Sequence, residues 1–152
     1  MASGTDRFED LIAWQKAREL VSSIHAVTSD RRQWSDADLA RQLRRAAVSS
    51  MSNIAEGFER DGSAEFEHVL SVAKASCAEV RSLLYAAWDY GFLDEATFQR
   101  LHGQATETGR VIGGLRAAVQ RRATQTSRHS QHPTRSASSS TWHSAPSTQH
   151  SV

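Results

Sequence analysis

Between Asp6 and Ala123 the chain contains no proline, and both prolines, Pro133 and Pro146, fall near the end. Proline removes a backbone donor and clashes with the preceding turn, so its absence over this stretch leaves long uninterrupted helices open to the chain. The same stretch is rich in Ala, Leu, Arg, Glu and Gln, which lose least on entering a helix. It holds no alternating Val/Ile/Thr run of the strand type. An all-α fold follows.

Charge divides the chain in a second way. The total of 152 residues carries a formal net charge of +1, but all 17 acids lie at or before Glu107. Beyond it stand six arginines and no acid. From Thr124 to Val152 the sequence is dominated by Ser, Thr, His and Arg, with Trp142 as its one large apolar side chain. Such a composition cannot bury enough surface to offset the entropy of ordering it. The expected organisation is a helical domain over residues 1–123 and a disordered tail over residues 124–152. The single cysteine, Cys77, excludes an internal disulfide and a cysteine-based zinc site. The longest apolar run, Leu83 to Trp88, is far too short to span a bilayer, and the N-terminus lacks a signal-peptide h-region. A soluble cytoplasmic protein without membrane contact is the expectation.

Four amphipathic patterns fill residues 8–120. The first aligns Ala13, Trp14, Ala17, Leu20, Val21, Ile24 and Val27 at helical spacing, while Phe8, Leu11 and Ile12 point off that stripe. They imply either an extended lead before a helix start near Asp10, or docking outside the core. Ser35 with Asp38 opens the second helix, with Trp34 and Leu39 around it in a staple. Leu39, Leu43, Ala46, Ala47, Ser50 and Ile54 form its stripe, and Gly57 is its expected stop. The third, from Asp61–Ser63 to Gly91, has a main stripe of Phe66, Val69, Leu70, Ala73, Cys77, Val80, Leu84, Ala87 and Trp88. Beside it runs a second stripe containing Val72, Ser76, Glu79 and Leu83. Two apolar stripes on one helix predict contact beyond the bundle, so these four residues are candidate subunit contacts. Asp94 caps the fourth helix, whose stripe runs from Phe98 to Val119 through Leu101, Ala105, Thr108 and Ile112. Short connections then predict an antiparallel up-down-up-down four-helix bundle.

Little here suggests catalysis. A di-iron bundle needs two Glu-x-x-His motifs and more glutamates, and only Glu65 to His68 matches. Cys77 falls in the core stripe, and His25, His68 and His102 have no partner at motif spacing. No phosphate-loop pattern occurs. The expectation is a non-enzyme with no metal and no cofactor. Basic positions carry the remaining signal. Arg41, Arg44 and Arg45 cluster on the second helix, and Lys74 and Arg81 lie two turns apart on the third. They either contact phosphates or pair with Glu56, Glu79 and neighbouring acids. Arg121 and Arg122 have no local acid and are the cleaner candidates for RNA or DNA, at the level of weak, salt-sensitive binding.

Several runs resemble a known family. Phe8 to Ala17, Gln42 to Ser49, Ser52-Asn53-Ile54-Ala55-Glu56-Gly57 and Ala73 to Val80 are similar to motifs of the 23S rRNA intervening-sequence four-helix bundle proteins. The resemblance spans about residues 7–120 in matching order. It implies a small bacterial protein that forms a homopentameric ring. It also implies kinship in fold with the accessory variability determinant of diversity-generating retroelements, a pentamer that binds a reverse transcriptase and nucleic acid. By that analogy Arg41, Arg44, Arg45 and Lys74 become candidate nucleic-acid contacts. Asn53, Glu56, Ser76 and Glu79 become structural or subunit-contact positions. Met51 stands where the family commonly has proline, and Ala75 where it has glycine. The tail after residue 123 lies outside the family pattern.

Overall fold

The computed structural model describes residues 4–131. A 3-10 turn at Phe8–Asp10 precedes α1 (Ile12–Thr28), α2 (Ala37–Glu59), α3 (Ser63–Asp89) and α4 (Glu95–Ser130), with no strand among the described residues. Each helix packs on the next and α4 closes back on α1, while the diagonal pairs bring no Cα atoms within 8 Å of each other among the described residues. With such short connections, successive helices run antiparallel, giving the up-down-up-down bundle. Leu20, Ile24, Leu43, Ile54, Leu70, Leu84, Leu101 and Ile112 are fully buried along its axis. All eight belong to the expected stripes. Burial of each such side chain is worth about 1.5–3 kcal/mol before entropy is counted.

At one end of the bundle the loops are tightly built. Asp94 caps α4 by accepting from the Thr97 N–H at 2.7 Å, and Leu93 and Phe98 are buried around it as the staple positions require. α3 stops at Gly91, whose φ of +83° favours glycine. There the Gly91 N–H donates to the Trp88 carbonyl and the Phe92 N–H to that of Ala87, the pair of bonds that closes a Schellman motif. Trp34 from the α1–α2 loop stacks on Phe92 from the α3–α4 loop, centroids 5.2 Å apart, and so ties the two loops together.

Helix α1 begins at Ile12, after Leu11 in extended conformation, in line with the first of the two expected alternatives. Three details differ from the expectation. Asp36, not Ser35, caps α2, accepting from the Leu39 N–H at 2.9 Å. Both residue types cap well, and the shift moves Trp34 out of staple position and into its stack on Phe92. Gly57 does not stop α2, which runs on to Glu59. A Cβ there would lie 2.9 Å from the Phe66 ring and 3.2 Å from the Val69 Cβ, so its small size serves the close approach of α3. Finally, α4 continues through Ser130, so residues 124–130 are its last turns and not the start of a disordered tail. These turns continue the backbone hydrogen bonding of the helix before them, which costs less than nucleating a new one. Tail residues 132–152 lie outside the described residues.

Candidate nucleic-acid interface

The three α2 arginines meet three different fates. Arg41 pairs with Asp38 at 2.6 Å on the exposed side of the helix. Arg44 is half-buried and reaches back to the end of α1, where its Nε donates to the Thr28 hydroxyl at 2.7 Å and Nη2 to the Thr28 carbonyl at 2.8 Å. An arginine at a helix C-terminus satisfies an orphan carbonyl and opposes the helix dipole, a packing role. Arg45 is exposed and shares a cleft of about 300 Å³ between α2 and α3 with Gln42, Ser49 and Glu79.

Lys74 is not near them. It lies on the opposite side of α3, in a trough of about 320 Å³ that α3 forms with α4. Arg81 joins it from α3, and Arg110 and Arg116 from α4. The acids within reach are taken: Glu107 accepts from Arg110 at 2.5 and 3.0 Å, and Glu67 accepts from Arg116 at 3.3 Å and from Gln120 at 2.5 Å. Lys74 and Arg81 form no ion pair among the described residues. Their positions two turns apart were visible in the sequence, whereas the α4 arginines join them only through the register of α3 on α4.

Arg121 and Arg122 stand on the stretch of α4 that runs past the bundle. From Gln120 to Gln131 every residue but Ala123 is exposed, and neither arginine forms an ion pair among the described residues. Gln125 and Arg128 line the same side as Arg121. This end of the protein is a positively charged rod.

The candidate subunit contacts also divide. Val72 is exposed, Glu79 is exposed beside Arg45, and Leu83 is half-buried against the core. Ser76 is only 6 % exposed. Its hydroxyl donates to the Val72 carbonyl and accepts from Ser49, whose oxygen accepts in turn from the Asn53 amide at 3.0 Å. This relay locks α2 to α3 inside one protomer, so Ser76 is a packing residue. Glu56 and Glu65 both hold Arg60, which raises the arginine's pKa further and ties the α2–α3 turn.

Cys77 is buried at the floor of the trough, and burial pushes its thiol up to about 11. A thiol so hard to ionise is a poor nucleophile. Among the described residues no three His, Cys, Asp or Glu side chains converge as a metal site requires, and no helix is long and apolar enough to cross a membrane.

Residues 9–114 match the family of 23S rRNA-intervening sequence proteins, and the chain belongs to that family. A crystal structure of a protein of unknown function from the S23 ribosomal protein family of Bacteroides thetaiotaomicron has the same fold, with a TM-score of 0.65. It is 16 % identical, and the match covers 68 % of this chain and 97 % of that one. No curated protein matches the chain.

Proposed function

We propose that the protein is a non-enzymatic, homo-oligomeric accessory protein of the cytoplasm that binds nucleic acid. The observation that carries this reading is the α4 overhang, an exposed, acid-free helix end bearing Arg121, Arg122 and Arg128. Cations without internal partners have counterion release from a polyanion available to them. The lack of a reactive thiol supports the non-catalytic part. Val72 and the exposed Glu79 on the α2–α3 face support self-association, and the family resemblance supports a pentamer. The resemblance in fold to retroelement accessory proteins, read from the sequence motifs, supports a reverse transcriptase as the enzyme partner. A second reading, a protein-binding adaptor without nucleic-acid contact, is favoured by the internal engagement of Arg41 and Arg44.

Fluorescence anisotropy with short RNA and DNA strands across a salt series separates the two. The expected result is a linear fall of log affinity with log salt, and a slope reduced by about one for each of R121Q and R122Q. Absence of binding to either nucleic acid at low salt refutes the first reading and leaves the adaptor. Light scattering tests the assembly, and a monomer removes the oligomeric part.

A further inference from the structure

The α3–α4 trough has a chemistry of its own. Its floor is made of small side chains, Ala78, Ala105 and Gly109 among them. A Cβ at Gly109 would already touch the Cys77 Cβ at 3.4 Å, and one at Gly113 would lie 3.5 Å from the Lys74 ammonium. Both distances are ordinary van der Waals contact, so α4 lies close on α3 at Gly109 and the Lys74 side chain lies along α4 at Gly113.

Four cations ring that floor and two acids neutralise two of them, so the trough holds a surplus of two positive charges, on Lys74 and Arg81. These two are seven residues apart on one helix face, about 10 Å along the axis. Arg110 gives Glu107 its Nε and Nη2, which leaves its second terminal nitrogen free to donate. Like charges gathered without matching acids repel one another, and an incoming anion removes that repulsion. A single carboxylate would answer one of these cations. An oxygen-rich group bearing up to two charges answers both and still accepts from a guanidinium.

We infer that this trough is a seat for a phosphate group, held between Lys74 and Arg81 with Arg110 donating from α4. The volume of about 320 Å³ admits a phosphate together with part of the sugar that carries it. The site deepens the nucleic-acid reading and rests on it for the source of the phosphate, a backbone phosphodiester as against a free nucleotide. The charge and shape of the trough itself do not depend on that reading.

Calorimetry of the full chain with pyrophosphate tests the seat, with a short oligouridylate and uridine diphosphate as separate arms. Pyrophosphate is expected to bind the wild type and R121Q/R122Q equally, and to bind K74Q and R81Q each about tenfold more weakly. K74R, which keeps the charge, should retain most of the affinity, while circular dichroism confirms that each variant is folded. Pyrophosphate that fails to bind, or binds K74Q and R81Q as tightly as the wild type, overturns the seat. Oligouridylate displaced by pyrophosphate identifies a backbone phosphate as the source, and uridine diphosphate bound without oligouridylate identifies a nucleotide. If pyrophosphate binds and no nucleic acid does, the seat stands and only the nucleic-acid reading falls. Oligouridylate bound with no response to pyrophosphate, K74Q or R81Q removes the seat and leaves that reading intact.

Discussion

Arginines at the two ends of the bundle do different work. At the loop end Arg44 is held by two bonds to Thr28, and Arg41 has Asp38 beside it. At the far end of α4, Arg121 and Arg122 are exposed with no acid after Glu107 in the whole chain. Residue type is the same and local helix is the same. The difference lies in what the neighbouring helix offers, a helix-end carbonyl on the buried Thr28 for Arg44 and, among the described residues, no acceptor for Arg121 or Arg122. Clusters of arginine on a helix thus say little about ligands until their internal acceptors are accounted for.

Substitutions at the loop end should therefore appear in stability and leave nucleic-acid affinity alone. The largest effect is expected for W34A, which removes a side chain only 3 % exposed and its stack on Phe92. Urea unfolding should show a loss of about 3–5 kcal/mol. A loss below about 1 kcal/mol would mean the two loops are not held by that stack. Next comes R44A, expected to cost about 2 kcal/mol through the charge-assisted bonds to Thr28, with R44K recovering little because an ammonium cannot span both oxygens. If R44A instead lowers the salt slope of RNA binding at unchanged stability, the contrast between the two ends fails.

The smallest effect concerns pH. Bonds from Thr97, its hydroxyl and its backbone N–H, hold the Asp94 carboxyl below its ordinary pKa. The ionised form is thus favoured by folding, and its contribution is complete above the ordinary carboxylate range. That contribution is lost as pH falls below about 4 and through the depressed value. D94N keeps a good cap but no titration, so its urea midpoint should fall less steeply in acid than the wild type's. Parallel acid limbs would show that Asp94 caps α4 without coupling to pH.

The stripes that make the bundle were legible because helical periodicity is a local property, and Leu43, Leu70, Leu84 and Ile112 all lie where it puts them. Asp94 was legible for the same reason. Gly57 was not, since a glycine that ends a helix and one that admits a neighbouring helix look alike until Phe66 is seen against it. Arg44 depended on a contact with Thr28, 16 residues away, that only the antiparallel pairing of α1 and α2 creates. Among the trough cations, Lys74 and Arg81 follow from one helix face, while Arg110 and Arg116 need the register between two. Residues 124–130 look like tail because Ser and Thr dominate them, yet they take up the helix that precedes them.

The hydroxyls on those turns have a consequence for how α4 comes apart. Thr124, Thr126, Ser127 and Ser130 each donate to the carbonyl four residues back, at 3.0–3.1 Å. Such bonds compete with the backbone ladder and favour bending, and among the described residues no neighbouring helix covers these turns. The amides of α4 should accordingly exchange with solvent in two regimes, slowly up to Ile112 and fast after Gln120. A bound polyanion that offsets the repulsion between Arg121 and Arg122 would slow the second regime alone. The end of α4 is then a segment whose order reports occupancy.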